Sequence, residues 1–160
     1  MSSGEPRKTG EKLIATNPVA RFNYFIEEVV EAGLVLTGTE IKSLRAQTPS
    51  LRDSYVEVLS SGVRIEAWLL NAHIAPYSHG NVWNHDPLRK RKLLLHARQL
   101  QKLYSAITQK GMTVIPTRLY LKNGIAKVEV ALAKGKKKHD KRESMKQKSI
   151  QKEMAAAKKR

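Results

Sequence analysis

The chain has 160 residues, a length that fits one domain, and 41% of them are hydrophobic, which excludes disorder throughout. Thirty Lys and Arg residues against 14 Asp and Glu give a net charge of +16. Such an excess favours a polyanionic partner, either nucleic acid or an anionic membrane surface.

Membrane insertion and secretion have no support in the sequence. No apolar run approaches the roughly 20 residues that a membrane-spanning helix needs. The first twelve residues, MSSGEPRKTGEK, lack the apolar stretch of a signal peptide. The chain contains no cysteine, which excludes disulfides, thiolate zinc sites and cysteine nucleophiles. We therefore expect a cytoplasmic protein with no membrane partner.

The first predicted elements are strands around one short helix. Residues 24–36 are rich in Phe, Ile, Val and Leu with polar residues interleaved, which predicts a long strand. Thr37 and Glu40 have the spacing of a capping box, which predicts a helix to about Ala46. Two strands at 54–59 and 63–70 follow, joined by a tight Ser-Ser-Gly turn.

A long polar loop at 71–87 separates these elements from the second half of the body. Residues 90–95 read as a strand that starts basic and ends apolar. Leu100, Leu103, Tyr104 and Ile107 have the spacing of an amphipathic helix, which Gly111 ends. The pair Asn123-Gly124 then predicts a hairpin of two strands, residues 112–121 and 125–133.

These elements predict a mainly β fold with two or three short helices. About six antiparallel strands in a chain of this size favour a closed barrel, because closure leaves no open edges. An oligonucleotide-binding type of barrel suits a basic protein. We expect a flexible N-terminus at residues 1–11 and the barrel domain at residues 12–133.

Residues 134–160 differ in character from the body. They hold 12 Lys and Arg against 3 Asp and Glu, with few large apolar side chains. Such a segment cannot bury enough surface to offset the entropy of ordering, so we expect a basic tail that is disordered when free. Good helix formers from residue 143 to 157 allow it to fold against an RNA surface; the alternative is a solvated helix that extends the fold.

Catalytic and metal-binding interpretations are weak. Neither a phosphate-cradling loop nor a nucleophile-elbow motif occurs. His73, His79 and His85 are six apart, which matches no common metal spacing. Glu27 and Glu31 would share a strand face but stand about 13 Å apart, too far for a two-metal site. We predict no catalytic residue, metal, cofactor or small-molecule substrate.

Two body segments have the composition of an RNA-contacting surface. The basic run at residues 89–92 follows Trp83, Asn84 and His85, which could stack on and read unpaired bases. Lys42 and Arg45 share one helix face. In both cases a plain solvated surface is the alternative.

Four segments, taken in order, resemble the small protein B family of SsrA-binding proteins. They are YFIEEVVEAGLVLTGTEIKSLR, DSYVEV, NHDPLRKRKLLLH and LAKGKKKHDKR. The similarity runs from about Lys12 to Arg142. It implies a barrel related to the oligonucleotide-binding fold, a complex with the tRNA-like domain of transfer-messenger RNA (tmRNA), and delivery with elongation factor Tu to stalled ribosomes.

The resemblance also implies site residues. RNA binding would involve Asn17, Glu31, Leu94 and Lys127. Further candidates, chosen for charge and placement, are Arg21, Lys42, Arg45, Arg91 and Lys92. The tail motif would lie at the decoding centre of small-subunit rRNA, with the rest of the tail in the messenger channel; its residues are Lys134, Gly135, Lys136, Lys137, Lys138, His139, Asp140, Lys141 and Arg142.

Pro18, Val19 and Phe22 depart from the family pattern, which commonly has two basic residues and a His there. The first contact is therefore less cationic than in relatives. Two alternatives remain open from the sequence. One is a structural or assembly protein of the ribosome, and the other is a metal-dependent RNA-processing enzyme that uses Glu and His residues.

Overall fold

The structure is a computed structural model that describes residues 10–80 and 83–158. Over these residues it contains four helices: α1 (Ala20–Asn23), α2 (Gly38–Ala46), α3 (Ala97–Lys110) and α4 (Lys138–Lys158). The strands are β1 (Glu11–Thr16), β2 (Tyr24–Leu34), β3 (Tyr55–Ser60), β4 (Ile65–Leu70), β5 (Arg91–Leu94), β6 (Thr113–Lys122) and β7 (Ile125–Gly135).

The seven strands form one antiparallel sheet in the order β1-β6-β3-β4-β5-β2-β7, with β6 also paired to β7. Following the pairings from β6 through β3, β4, β5, β2 and β7 therefore leads back to β6. β1 lies outside this circuit, along the C-terminal half of β6. The predicted mainly antiparallel fold is confirmed, and β1, which periodicity did not predict, is an addition.

Local signals explain where the elements begin and turn. The Thr37 hydroxyl accepts from the Glu40 amide while the Glu40 carboxylate accepts from the Thr37 amide at 2.8 Å, so the capping box is present. Gly111 ends α3 with a left-handed φ of 62°. Asn123 and Gly124 have φ values of 51° and 79°, as a two-residue hairpin turn requires.

The main core lies inside the circuit of six strands. Each strand contributes buried aliphatic side chains, and α2 and α3 add Leu44 and Leu103. One buried residue from each strand illustrates the pattern: Leu34, Val58, Leu69, Leu93, Val114 and Val128. A smaller cluster of Ala20, Ile115, Ala131 and Ala133 forms beneath α1. The outward face of the sheet is thus covered near α1.

Several element boundaries differ from the sequence prediction. β2 ends at Leu34, and the pairing of β2 with β7 shifts register between Ile26 and Glu28. This irregularity interrupts the alternation of faces at Glu27, so the assumed common face of Glu27 and Glu31 was not justified. The described residues form four helices, and two of these, α1 and α4, were not among the helices predicted for the body.

Both ends of the described chain lie close to regular elements. Glu11 already belongs to β1, whereas residues 1–9 of the predicted flexible N-terminus lie outside the described residues. At the other end β7 continues to Gly135, and α4 has no buried side chain. The predicted disorder of the tail concerns the free protein in solution and stays a prediction; Lys159 and Arg160 lie outside the described residues.

None of the described helices is long and apolar enough to span a membrane. Within residues 10–80 and 83–158, no three His, Asp or Glu side chains come together as a possible metal site.

Candidate RNA interface

One cross-strand row on the outward face of the sheet joins two of the expected RNA-binding residues. Tyr120 of β6 pairs with Lys127 of β7, Lys127 pairs with Gly33 of β2, and Gly33 pairs with Leu94 of β5. Residues that pair directly across antiparallel strands point to the same face. Leu94 and Lys127 therefore stand on one surface, separated by a glycine.

A neighbouring row contributes the third residue. Arg118 of β6 pairs with Glu129 of β7, and Glu129 pairs with Glu31 of β2. Glu31 is two residues from Gly33, so both lie on the same side of β2. Glu31, Leu94 and Lys127, far apart in sequence, are thus brought to one surface.

Gly33 keeps this surface concave. A Cβ at Gly33 would lie 3.2 Å from the Cβ of Leu94, closer than side chains normally pack. Because Gly33 has no side chain, it leaves room for a groove of about 520 Å³, which it helps to line. Its lining includes Glu31, Leu94, Ile125 and Lys127. Leu94 and Ile125 are 56% and 60% exposed, so the groove presents apolar surface to a ligand.

The Glu31 carboxylate is held ionised beside two cations. It accepts a hydrogen bond from the Tyr120 hydroxyl, and its Oε1 lies 3.6 Å from Nζ of Lys122. The Tyr120 hydrogen bond is the main reason why the pKa of Glu31 is lowered, and the charges of Lys122 and Lys127 act in the same direction. Burial and the same hydrogen bond raise the pKa of Tyr120. The tyrosine therefore remains a donor that orients the carboxylate.

This combination of groups suits an RNA ligand. Lys122 and Lys127 can contact phosphates, and the exposed faces of Leu94 and Ile125 can pack against a ribose or base. The ionised Glu31 can accept hydrogen bonds from base N–H groups or a 2′-hydroxyl. The groove thus combines cations, apolar surface and a hydrogen-bond acceptor, which are groups that RNA contacts use.

Asn17 organises the edge of the same face. Its amide nitrogen donates to the Pro116 carbonyl at 2.9 Å, and its Oδ1 accepts from the Val19 amide at 3.2 Å. The adjacent Thr16 pairs with Arg118, which belongs to the row of Glu31. Asn17 thus fixes the path of the chain from β1 into α1.

The remaining candidates with accessible side chains are on α1, α2 and β5. Lys42 and Arg45 are exposed on α2. Lys92 is on the same side of β5 as Leu94 and forms an ion pair with Glu66 at 3.7 Å. Arg21 is exposed on α1.

Arg91 was wrongly predicted to contact RNA. Its side chain is fully buried, where Nε donates to the Glu40 carboxylate and Nη1 donates to the Ala72 carbonyl at 2.8 Å. β5 points alternate residues inwards, and Arg91 is on the same side as the core residue Leu93. The charge of Arg91 stabilises the fold and is not available to a phosphate.

The RNA-contact interpretation of Asn84 and His85 was also wrong. His85 is buried, and its ring nitrogens lie 2.9 Å from Thr39 Oγ1 and from the Ile74 carbonyl. Asn84 uses its amide to hold the backbone of Tyr77. Both residues shape the loop before β5.

The tail motif forms the junction between β7 and α4. Lys134 and Gly135 end β7 by pairing with β2. Nζ of Lys136 donates to the Arg21 carbonyl and to Ser144 Oγ, both at 2.9 Å. Asp140 Oδ2 accepts from the Lys137 amide at 3.1 Å in the first turn of α4. These contacts set the start of the tail helix, and a role of Lys134–Arg142 at the decoding centre stays a prediction.

Sequence reasoning missed Gly33, Tyr120, Lys122 and Ile125. The signal for three of them was present, because a two-residue turn at Asn123-Gly124 pairs residue 122 with 125 and residue 120 with 127. Extending that register would have placed them beside Lys127. Gly33 carried no comparable signal, since its role depends on β5, which is distant in sequence.

Known proteins are similar to this chain over most of its length. The family model described as SmpB protein matches residues 14–160. The SsrA-binding protein of Geobacillus thermodenitrificans (strain NG80-2) is 55% identical over 146 residues, which cover 91% of this chain and 92% of the relative. That of Geotalea uraniireducens (strain Rf4) is 54% identical over 147 residues, or 92% and 95% of the two chains.

A solved structure also matches. It is described as "tmRNA-SmpB: a journey to the center of the bacterial ribosome", and its TM-score to this chain is 0.64 at 44% sequence identity. The match covers 79% of this chain and 87% of the other. Both the sequence and the fold are thus similar to the same group of proteins.

Proposed function

The chain belongs to the SmpB family, and on that premise we propose that it is a tmRNA-binding adaptor of trans-translation. It binds the tRNA-like domain of tmRNA and delivers it to stalled ribosomes for rescue and peptide tagging. The observation that carries this proposal is the meeting of Glu31, Leu94 and Lys127 in one groove. Its relatives are named for binding SsrA, and the similar solved structure concerns tmRNA-SmpB and the bacterial ribosome.

We also propose that the circuit of six strands is a closed barrel of the oligonucleotide-binding type. The pairings of β6 with both β3 and β7 support it, since they leave each strand of the circuit with two neighbours. The shared core within these strands is the packing expected of a small barrel. On its outward face the groove is then supported by four paired strands.

In the proposed complex Glu31, Leu94 and Lys127 contact the tRNA-like domain directly. Asn17 shapes the neighbouring edge, and the part of its amide that is not bonded to Pro116 and Val19 can form hydrogen bonds with the RNA. Arg21 and Lys92 are proposed phosphate contacts in this complex, because each carries an exposed or half-exposed cation. Lys42 and Arg45, exposed on α2, are proposed RNA contacts outside the groove. Elongation factor Tu is an indirect partner in delivery, and the adaptor acts in the cytoplasm without a cofactor.

The tail is proposed to act on the ribosome. Residues 134–142 would contact the decoding centre, and the rest of α4 would lie in the messenger channel. α4 has no buried side chain and carries Lys and Arg along its length, which suits an environment of rRNA phosphates. Circular dichroism of the free tail measures its helix content before ribosome binding.

Binding of the isolated tRNA-like domain tests the first half of this proposal. We expect the purified protein to bind it more tightly than an unrelated RNA of equal length at every salt concentration, because groove contacts add to the nonspecific phosphate term. The two affinities are measured by fluorescence anisotropy over a salt series. Equal affinities throughout would refute tmRNA recognition.

Truncation separates binding from rescue. The stop must follow Lys137, since a stop after Ala133 would remove the last two residues of β7. We expect this variant to bind the tRNA-like domain within about threefold of the full chain and to lose peptide tagging in a translation extract. Loss of both activities together would show that the tail is merely a phosphate anchor.

A further inference from the structure

The loop between β4 and β5 is fastened to α2 by buried polar contacts. Ser43 Oγ donates to the Ala75 carbonyl at 2.5 Å. The His85 ring bridges Thr39 and the Ile74 carbonyl, with both contacts at 2.9 Å. Ser43 and His85 are themselves buried. Both ends of the segment from residue 74 to 85 are therefore held against one helix.

Between these two ends, Asn84 forms hydrogen bonds with other residues of the loop. Its Nδ2 donates to the carbonyls of Tyr77 at 2.7 Å and Gly80 at 3.1 Å, and its Oδ1 accepts from the Tyr77 amide at 3.2 Å. These bonds place the chain at Asn84 directly beside Tyr77. Trp83, the preceding residue, is thus presented by an anchored part of the loop.

Trp83 projects into solvent from this support. It is 91% exposed, whereas the other tryptophan, Trp68, is half-buried with Nζ of Lys90 at 5.0 Å from its ring. An exposed indole leaves a large apolar face in water. The polar neighbours that could be mistaken for RNA contacts, Asn84 and His85, instead hold the loop that presents this ring.

Aromatic and cationic side chains lie around Tyr77, the residue to which Asn84 is bonded. Nζ of Lys42 lies 5.7 Å from the centroid of the Tyr77 ring, and the His79 ring packs edge-on against Tyr77 at 5.5 Å. Arg45 follows Lys42 on the exposed face of α2. Glu40 on the same helix is buried and neutralised by Arg89 and Arg91.

One acidic side chain lies nearby in the sequence. Asp86 is exposed, and its Oδ1 accepts from the Leu88 amide at 2.9 Å. Lys42, Arg45 and Asp86 are all exposed, and together these three side chains carry a net positive charge. An acidic partner with flat aromatic groups fits such a surface, and single-stranded RNA has both properties.

We propose that Trp83, Tyr77, Lys42 and Arg45 form a second RNA-binding surface, which takes an unpaired segment of RNA. A base stacks on Trp83, and the two cations contact the flanking phosphates. This surface shares no residue with the groove of Glu31, Leu94 and Lys127. It therefore allows the protein to hold a second RNA segment while the tRNA-like domain occupies the groove.

Tryptophan fluorescence tests the proposal on the full chain. The variant Trp68→Phe leaves Trp83 as the single tryptophan. With the tRNA-like domain already bound at saturation, an octamer of adenylate is added. We expect quenching of Trp83 emission by the octamer and little quenching by a duplex of equal length, because paired bases cannot stack on the ring. Equal or absent quenching would overturn the proposal.

Substitutions give an independent measurement with a labelled octamer. We expect Trp83→Ala to weaken octamer binding at least about fivefold and Trp83→Phe to retain most of the binding. Lys42→Ala should also weaken octamer binding, by a factor that is smaller at higher ionic strength. Lys110→Ala, an exposed lysine at the end of α3, is the matched charge control. Unchanged octamer affinity in Trp83→Ala would contradict base stacking.

The two RNA surfaces are separated by the same variants. Trp83→Ala is expected to leave the affinity for the isolated tRNA-like domain within about twofold, whereas Lys127→Ala lowers that affinity. If Trp83→Ala weakened both RNAs equally, the loop would belong to the groove interface and the proposed second surface would be wrong. Failure of the tmRNA assignment alone would leave the octamer result intact.

Discussion

Glu40 is a fully buried carboxylate between two arginines. Its Oε1 lies 2.5 Å from Arg89, its Oε2 accepts from Nε of the buried Arg91, and it also accepts from the Thr37 amide at 2.8 Å. The pair is satisfied on both sides, since Arg91 donates to the Ala72 carbonyl as well. The Glu40 side chain therefore joins the N-terminal cap of α2 to β5, through Arg91, and to the loop before β5, through Arg89.

We expect Glu40→Gln to lower the free energy of unfolding by about 3–5 kcal/mol, because it leaves the buried Arg91 charge uncompensated. Urea denaturation followed by circular dichroism measures the change. Glu66→Gln is the matched control, since the Glu66–Lys92 pair spans 3.7 Å with both side chains about 41% exposed. That control should change stability by less than about 1 kcal/mol. Similar effects of the two variants would contradict a special role of Glu40.

The same carboxylate predicts a pH dependence. Burial opposes its ionisation, but hydrogen bonds from Arg89, Thr37 and Arg91 outweigh burial and lower the pKa of Glu40 from 4.5 to about 2. A lowered pKa stabilises the folded state above pH 4.5, and this contribution is lost as the pH falls towards 2. The stability difference between the native chain and Glu40→Gln should therefore shrink between pH 5 and pH 2. Urea titrations at several pH values measure it, and a constant difference would contradict the low pKa.

At the scale of elements, the β6–β7 hairpin places half of the groove. Its two-residue turn fixes the register that pairs Tyr120 with Lys127 and Lys122 with Ile125. A slip of one residue would send Lys127 to the core side and a core residue such as Val128 to the surface. The turn is thus as important for the groove as the residues that line it.

Gly124→Ala tests the turn, because Gly124 has a φ of 79° that disfavours any side chain. We expect a loss of about 1–2 kcal/mol in the free energy of unfolding. Gly38→Ala is the matched control: it lies in α2, and nothing is within 4 Å of its added Cβ. That substitution should be neutral or stabilising by up to about 1 kcal/mol. Urea denaturation measures both, and an equal response would contradict the strain argument.

At the scale of the molecule, the return of the strand pairings to β6 places β2 between β5 and β7. This arrangement puts Gly33 between Leu94 and Lys127 and thereby builds the groove. In the groove, the apolar side chain of Leu94 and the cationic side chain of Lys127 therefore stand on opposite sides of Gly33. These two contacts should respond differently to salt.

We expect Lys127→Ala to reduce the magnitude of the slope of log affinity against log salt by about 1 for the tRNA-like domain, since one phosphate contact is lost. Leu94→Ala should lower the affinity at every salt concentration while leaving the slope unchanged. Anisotropy titrations over a salt series measure both, with Lys110→Ala as the charge control. A reduced slope in Leu94→Ala would contradict an apolar contact.

Much of the architecture could be predicted because its signals are local. The capping box at Thr37, the helix period of α3 with Gly111, and the Asn123-Gly124 turn each act within a few residues, and each is present in the structure. β1 escaped prediction because its place depends on the edge of β6 that β3 leaves free. The resemblance to a family supplied Glu31, Leu94 and Lys127 as candidates. The sequence around each of the three gives no sign that they meet in the fold.

The amino-acid sequence by itself determined the class of partner, the local elements and the separate character of the basic tail, since charge, period and turn chemistry are properties of neighbouring residues. Only the tertiary structure decided which cations are available. Arg91 and Lys92 are adjacent in the chain, but the alternation of β5 turns Arg91 towards buried Glu40 and Lys92 towards solvent. It likewise decided that Gly33 separates Leu94 from Lys127, because that depends on pairing between distant strands.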